Sequence, residues 1–375
     1  MGGARLGEVE ALRAEVGAGG LLDGGRPLVA MLSGGRDSVC LLDVAVALRG
    51  AGAVRALHVN YRLRAAAAAD EDERYCAALC ERLGVELSVV RAGEPPTTGN
   101  LQAWARELRY EAAAGLAATL DGQARADGRP RADGQTGADG QTGADGETGA
   151  DREAGAGGGR AAIATGHTAS DQVETILYRL AASPGRRALL GMPARDGRLV
   201  RPLLGFTREQ TASYCRARGL AWREDESNTD ERFARVRARE RAVPALRELH
   251  PAAEANVLRT ARLLREEAEL LETLLDAELP GGGEAGVPIE RLAAMPRALA
   301  RMVVVRLAEE AAGGHVPQAG ERVAELLELG ARGGRAELHL GGLACAVVAD
   351  GALTVRRLAP DETSMRVRNA PPDGD

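Results

Sequence analysis

Residues 31–42 read MLSGGRDSVCLL, where an apolar run breaks off at two adjacent glycines. The overlapping residues 27–32 (PLVAML) have the continuous apolar character of a buried strand, and residues 38–49 (SVCLLDVAVALR) have one apolar face, like an amphipathic helix. Adjacent glycines weaken both strands and helices, so they mark a tight turn in which the backbone itself has a role. The stretch therefore predicts a strand, a glycine turn and a helix.

The same alternation continues along the chain. Further strands are predicted at 53–59, 85–90, 161–165 and 199–204, and further helices at about 65–83, 100–120, 170–182 and 207–218. Strands that alternate with helices form parallel sheets that are covered on both faces. We therefore expect an α/β fold with a doubly wound, mainly parallel sheet.

The rest of the sequence indicates how the chain is divided. We expect helices near 252–278, 297–312 and 319–330, then an antiparallel hairpin over 335–357 that turns at Asp350-Gly351. The predicted parts are an N-terminal helix or tail over 1–22, an α/β domain over 23–225, a smaller, mainly helical domain over 226–358 and a disordered tail over 359–375.

A glycine- and aspartate-rich stretch over 121–160 interrupts the α/β domain and contains the repeated unit ADGQTG. The repeat has no apolar side chain to bury, so it is predicted to be a disordered insertion. A calcium-binding glycine/aspartate repeat is the alternative, but such repeats carry an apolar residue in each unit, and this one does not.

Composition excludes some classes of function. All 48 basic residues are arginine and the net charge is −6, which argues against a protein that coats nucleic acid non-specifically but leaves room for a local arginine patch. The five cysteines include no Cys-x-x-Cys pair, so neither a disulfide framework nor a zinc knuckle is indicated. We find no secretory leader and no membrane span, and expect a cytoplasmic protein.

The glycine turn also predicts a binding site for an anion. Amide groups at a helix N-terminus attract phosphate, and the hydroxyls of Ser33 and Ser38 add donors. The run Ser-Gly-Gly-Arg-Asp-Ser at 33–38 is the signature of the PP-loop, or N-type, ATP pyrophosphatases. The alternative is a structural turn in which Ser33 caps the helix and Asp37 complements its dipole, but this leaves the paired glycines and the second serine unexplained.

Other polar side chains follow predicted strands, at the edge where open α/β sheets bind ligands, or share one helix face. Each also has a simpler interpretation, as a packed histidine, a solvated arginine pair or an acid that complements a helix dipole. These candidates are His58, Asn60, Arg106, Arg109, His167, Asp171, Gln172 and Glu174.

In chain order, these segments resemble the tRNA(Ile)-lysidine synthetase family, PP-loop ligases that attach lysine to an anticodon cytidine. The matching segments are 33–38, 58–64, 100–110, 167–175, 201–203 and 227–244. Four positions depart from the family pattern: Tyr61 and Arg62 replace His and Gly, Ser170 replaces the first of two acids, and Val236 stands in place of Asn.

The resemblance implies ATP and Mg²⁺ as cofactors, and tRNA(Ile) with a CAU anticodon and free L-lysine as substrates. The implied product is lysidine, formed through an adenylated cytidine with release of pyrophosphate and AMP. Whether the protein forms a homodimer is left open. A PP-loop tRNA sulfurtransferase and a non-catalytic ATP-binding regulator remain as alternatives.

The resemblance also implies roles for individual residues. Arg106 is the first choice, and Arg109 the second, for stabilising charge on the α-phosphate. The arginines of 232–241 have two equal interpretations. They contact the tRNA backbone, or they belong to an exposed helix whose charges are balanced by acids. The implied catalytic residues are Asp37, Arg106, Arg109, His167 and Asp171; the ATP-binding residues are Ser33, Gly34, Gly35, Arg36, Asp37, Ser38 and His58; the metal-facing acids are Asp37 and Asp171; and the RNA-binding residues are Arg201, Arg235, Arg237, Arg239 and Arg241.

Overall fold

The structure is a computed structural model that describes residues 2–62, 66–96, 101–126, 160–182, 185–224, 234–279 and 286–359. These residues form two compact units, the first ending at Arg265 and the second beginning at Glu266. Each unit has its own apolar core.

A six-stranded sheet organises the first unit, with strand order β3-β2-β1-β4-β6-β5. All neighbouring strands are parallel except β5, which pairs antiparallel with β6. This confirms the predicted doubly wound, mainly parallel sheet, although the strand expected over 199–204 covers only two residues. The strands are β1 (Leu28–Met31), β2 (Val54–Asn60), β3 (Glu86–Arg91), β4 (Ala162–Ala164), β5 (Arg195–Asp196) and β6 (Leu199–Val200).

Helices cover both faces of this sheet, because successive residues of β1 point to opposite sides. Leu28 and Ala30 pack in a core with α1, α2, α3 and α7, whereas Val29 and Met31 pack in a second core with α4. The helices of this unit are α1 (Gly2–Ala18), α2 (Arg36–Arg49), α3 (Ala66–Leu83), α4 (Leu101–Ala126), α5 (Ala169–Ala182), α6 (Arg186–Leu189), α7 (Arg208–Ala217), α8 (Ala234–Arg237), the π-helical turn Ala238–Ala242, α9 (Val243–Leu249) and the first half of α10 (Ala253–Glu278).

The start of the predicted insertion needs correction. Helix α4 continues through Ala126, so residues 121–126 are helical. Asp121 is buried, accepts a hydrogen bond from the Ala161 amide (2.5 Å) and pairs with Arg198 (2.9 Å). These contacts join the end of α4 to the residues that precede β4 and β6. Residues 127–159 of the predicted insertion and 360–375 of the predicted tail lie outside the described residues.

The second unit packs helices against a four-stranded antiparallel sheet of order β7-β10-β9-β8. The expected turn at Asp350-Gly351 is present, but a second turn at Gly341-Gly342, with φ of +112° and +55°, makes the predicted hairpin a three-stranded meander. No helix in the described ranges is long and apolar enough to cross a bilayer. The elements are β7 (Val287–Pro288), α11 (Ile289–Ala294), α12 (Arg297–Ala312), the 3₁₀ helix Pro317–Arg322, α13 (Val323–Arg332), β8 (Ala336–Gly341), β9 (Ala344–Ala349) and β10 (Ala352–Arg357).

One buried carboxylate joins three helices of the first unit. Asp43 on α2 is 2% exposed and accepts hydrogen bonds from Arg13 on α1 (3.1 Å), Tyr214 on α7 (2.6 Å) and Arg218 just beyond α7 (3.0 and 3.1 Å). Removal from water raises the pKa of Asp43, but the hydrogen bonds from its two arginines and from Tyr214 outweigh this, so the pKa lies below its ordinary value.

We expect Asp43→Asn to lower the free energy of unfolding by about 1–3 kcal/mol, because it removes the charge of a buried carboxylate that pairs with two partly exposed arginines. Since the native pKa of Asp43 is depressed, its contribution is complete above about pH 5 and is lost as the pH falls through the native pKa. Urea denaturation between pH 3 and pH 7 should show the two proteins converging at acidic pH. Asp70→Asn, at an exposed carboxylate, is the control; an equal effect of both substitutions would contradict the assignment.

Candidate active site

The turn between β1 and α2 is held by its own two serines. The Ser38 hydroxyl donates to the Gly35 carbonyl (2.8 Å) and accepts from the Ser33 amide (3.2 Å), and the two hydroxyl oxygens lie 3.1 Å apart. Gly34 has a φ of +85°, which favours glycine. The N-cap residue of α2 is Gly35, with no side-chain cap, so Ser33 does not cap this helix. Among the described residues, the first amides of α2 therefore have no side-chain acceptor, which suits an anion.

A second turn packs directly on this loop. Gly166 lies between β4 and α5, and a Cβ atom there would come within 2.9 Å of the Asp37 carbonyl carbon and oxygen and 3.0 Å of the Ser38 nitrogen. Only glycine allows this approach without moving the loop backbone. Sequence analysis missed Gly166, although its place directly after a predicted strand, in ATGHT, was a usable signal.

A third segment, which contains Arg223, also contacts the loop. The Arg223 amide donates to the Gly34 carbonyl (2.9 Å), while the Arg223 guanidinium pairs with Asp72 (2.9 Å) and Glu71 (3.0 Å) on α3. Arg223 therefore links the loop to α3, a contact between residues too far apart in sequence to be foreseen from a local pattern.

Asp171 is fixed from two directions. Its carboxylate accepts hydrogen bonds from the Thr168 amide and hydroxyl (both 2.8 Å) and from the Arg208 guanidinium (2.5 Å), which also donates to Glu174 (2.5 Å). Burial alone would raise the pKa of Asp171, but the charges of Arg208 and His167 and the Thr168 hydrogen bonds lower it. Burial raises the pKa of Glu174 despite Arg208. Arg208 carried no sequence signal.

Asp37 is anchored to α2 and α7. Its carboxylate accepts hydrogen bonds from the Arg36 guanidinium (3.1 Å) and from the Thr211 hydroxyl (2.5 Å). The Asp37 side chain keeps about a fifth of its surface exposed, at 20%. Asp37 is therefore held in place but can still meet a ligand.

These segments enclose a cavity of about 590 Å³, here called the loop cavity. It brings together nine of the predicted site residues: Ser33, Gly35, Arg36, Asp37, Ser38, Arg109, His167, Asp171 and Arg239. Residues that sequence analysis did not assign to the site complete the lining: Met31, Leu32, Leu57, Val59, Tyr61, Tyr110, Thr165, Gly166, Arg208, Trp222, Arg223 and Glu224.

His167 has a neutral ring at pH 7. Its Nδ1 lies 2.8 Å from the Thr165 hydroxyl. Removal from water lowers the pKa of His167, and nearby arginines lower it further, which outweighs the opposing effect of Asp171. A ring with a lowered pKa is a hydrogen-bonding group for a ligand rather than a strong base.

Seven predicted site residues lie outside the cavity lining: Gly34, His58, Arg106, Arg201, Arg235, Arg237 and Arg241. His58 is 4% exposed and its Nδ1 lies 2.9 Å from the Leu32 carbonyl, so it packs against the residue that follows β1. Arg106 is exposed and lies 4.9 Å above the Tyr110 ring, one helical turn before Arg109. The predicted RNA contact of Arg201 needs correction, since its side chain is 4% exposed and donates to the Pro193 carbonyl (2.7 Å).

The arginines of 235–241 lie within α8 and the π-helical turn. Arg235, Arg237 and Arg241 are exposed, whereas Arg239 is half-buried and its Nε lies 3.8 Å from Glu174. Val236 is buried. The helix thus presents three arginines to solvent and one to the loop cavity, and their contact with RNA stays a prediction.

Two departures from the family pattern have a visible setting. Arg62 stands where the family has glycine, and its φ is +51°, a left-handed conformation stabilised by a hydrogen bond from its amide to the Asn60 side chain (3.1 Å). Tyr61 lines the loop cavity and packs edge-on against Trp104, with ring centroids 6.4 Å apart. The positive φ of Arg62 explains why glycine suits that position.

Comparisons with known proteins agree with this geometry. The PP-loop domain family matches residues 13–125 and 153–246. The chain is 34% identical to a tRNA(Ile)-lysidine synthase of Gloeobacter violaceus, over 76% of this chain and 78% of that protein. It is 33% identical to the Pseudomonas fluorescens tRNA(Ile)-lysidine synthase (69% of this chain, 50% of that protein) and 35% identical to that of Thermus thermophilus (85% and 55%).

The chain thus spans about half the length of two of these three relatives. The family match includes the turn at 33–38 and the segment that contains Gly166, His167 and Asp171. Both segments line the loop cavity. On these grounds the chain belongs to the PP-loop family and, within it, to the tRNA(Ile)-lysidine synthases.

Proposed function

We propose that this protein is an ATP-dependent ligase that joins lysine to C2 of the wobble cytidine of tRNA(Ile) with a CAU anticodon. The observation that carries the proposal is the loop cavity, in which one wall offers uncapped helix amides and the others offer Asp37, Asp171 and Arg109. The names of the relatives support the choice of lysine and of this tRNA.

In the first step, O2 of the cytosine attacks the α-phosphorus of ATP and pyrophosphate leaves, which gives an adenylated base. The amides and hydroxyls of 33–38 bind the phosphates. Negative charge develops on the α-phosphate, and a planar guanidinium fixed nearby stabilises it. Arg109 lines the cavity and Arg106 does not, so we assign this role to Arg109 and no longer to Arg106.

In the second step, the ε-amine of lysine attacks C2, the bond from C2 to the adenylated oxygen breaks, and AMP leaves. The amine loses a proton to solvent as the new carbon–nitrogen bond forms. His167 orients a ligand through its neutral ring, because its lowered pKa makes it a poor proton acceptor.

The two acids fit a magnesium ion that is bound together with phosphate. Mg²⁺ is commonly held by one or two carboxylates, with substrate oxygens and water completing the shell. Within the described residues no group of three or more acidic, histidine or cysteine side chains could hold a metal alone. Asp37 and Asp171 would hold the ion with the triphosphate, whose charge it would screen.

The sulfurtransferase alternative is disfavoured by the state of the cysteines. Cys76 and Cys80 are buried on α3, and burial raises the pKa of Cys76 to about 12 and that of Cys80 to about 11. Sulfur transfer needs a thiolate, which these thiols rarely form at pH 7. A non-catalytic regulator would need no acid pair beside the loop, so the ligase accounts for more of the cavity.

Labelled lysine tests the proposal. Wild-type protein with ATP and Mg²⁺ should transfer label to a tRNA(Ile) transcript with a CAU anticodon, and neither the Asp37→Ala variant nor a transcript with another anticodon should support transfer. Pyrophosphate release on RNA without label in the RNA would retain the adenylation chemistry but refute lysine as the nucleophile.

We predict that Arg109→Gln lowers kcat about 100- to 1,000-fold, the usual effect of removing one donor to developing charge. Arg106→Gln should cost less than about tenfold, because Arg106 does not line the loop cavity and its guanidinium lies over the Tyr110 ring. Both residues occupy one face of α4, so each variant controls for the other. A larger loss in Arg106→Gln would reverse the assignment.

We predict that Gly166→Ala weakens ATP binding about tenfold or more, because the added Cβ must displace the backbone of Asp37 and Ser38. Equilibrium binding of a fluorescent ATP analogue gives the measurement. Gly115→Ala on α4, where a Cβ would meet nothing within 4 Å, is the matched control. Unchanged affinity in Gly166→Ala would show that the loop tolerates displacement.

A further inference from the structure

A second cavity, of about 530 Å³, lies in the first unit beside the first turn of α5. We name it the arginine cavity. Three of its lining residues are arginine. No residue of the lining is acidic, although the whole chain has a net charge of −6. Its lining is Ala169, Gln172, Ala194, Leu204, Gly205, Ala255, Asn256, Leu258, Arg259, Arg262 and Arg265.

The three arginines form a row along α10. Arg259, Arg262 and Arg265 are three residues apart, so they lie near one helix face and span about 9 Å along the axis. Arg259 and Arg262 are exposed, and neither makes a hydrogen bond or ion pair with another described residue. Arg265 is half-buried and donates to the Leu190 carbonyl (2.8 Å), which fixes one end of the row.

The arginine cavity and the loop cavity share one short helical segment. Ala169 and Gln172 of α5 line the arginine cavity, whereas Asp171 of the same turn lines the loop cavity. The Gln172 side chain is committed to the Met192 backbone, with hydrogen bonds of 2.6 and 2.8 Å, so this wall is rigid. A chain that lies in the arginine cavity thus passes within one helical turn of the residues that face ATP.

We propose that the arginine cavity binds the phosphodiester backbone of the RNA substrate beside the nucleotide that enters the loop cavity. This proposal rests on the proposed function, since it takes tRNA as the substrate. Guanidinium groups match phosphate geometry, and a lining without carboxylates leaves their charge uncompensated. Backbone neutralisation is the main sequence-independent contribution to RNA binding.

The arrangement favours a strand over a small anion. A site for free phosphate converges buried donors on one point, whereas Arg259 and Arg262 are exposed and follow one another along a helix. A row of separate cations suits successive phosphates of one strand.

The test measures RNA binding without ATP or lysine. The probe is a fluorescent anticodon stem-loop RNA with a CAU loop, titrated with wild-type protein and with the double variant Arg259→Gln/Arg262→Gln. We expect at least a tenfold loss of affinity and a plot of log K against log salt whose slope is shallower by about 1.4, the value for two single-strand phosphate contacts. The binding of a fluorescent ATP analogue should not change.

Arg195→Gln/Arg216→Gln removes the same charge from exposed arginines outside both linings and should keep near wild-type affinity and slope. Equal losses in both double variants, or none in the first, would overturn the proposal. Displacement of the RNA by inorganic phosphate at matched ionic strength would also overturn it, in favour of a free-phosphate site. Failure of lysine transfer by the wild-type protein would instead refute the proposed function while leaving this binding result intact.

Discussion

The close approach of Gly166 to the backbone of Asp37 and Ser38 is the contact on which the rest of the site depends. It joins the turn after β4 to the turn after β1, the two central strands of the sheet. Because His167 follows Gly166 and α5 begins two residues later, at Ala169, the same contact places His167 and Asp171 on the cavity that Asp37 lines. Parallel strands whose carboxyl ends share an edge make this meeting possible.

Arginine dominates the electrostatics around this contact. Asp171 and Glu174 share Arg208, so one buried and one half-buried acid are balanced by one half-buried cation, and Arg239 approaches Glu174 from the π-helical turn. Such pairs are stabilising only while both partners are present, since an unpaired buried charge is costly. We infer that Arg208 keeps Asp171 ionised and oriented, and thereby preserves the negative charge that a magnesium–nucleotide complex would meet.

Local patterns predicted the sheet and most helices because alternating apolar segments and paired glycines are properties of short stretches. They also placed Asp37 and Asp171 together, since each lies near the end of a strand, whereas Arg109 was assigned to the site only by the family resemblance. They did not predict Arg208, Thr211 or Arg223, whose contacts with the loop region join residues far apart in sequence.

Local patterns also could not show which way single side chains face, and this explains the differences between prediction and structure at His58 and Arg201. Alternation along β2 turns His58 away from the cavity while Leu57 and Val59 face it, and a motif that contains both His58 and Val59 cannot distinguish the two sides. Arg201 is basic and lies in a matching motif, yet it is buried against Pro193. Burial is a property of the assembled fold, so only the structure separates a buried arginine from one that can meet RNA.

Transfer of the α-phosphate label of ATP to RNA, in the absence of lysine, would test the central claim most directly. The account predicts that [α-³²P]ATP and Mg²⁺ label a CAU-anticodon tRNA(Ile) transcript through wild-type protein, and that added lysine then releases the label as AMP. Pyrophosphate formation with no label on the RNA, or label that lysine does not release, would contradict an adenylated cytidine as the intermediate formed in the loop cavity.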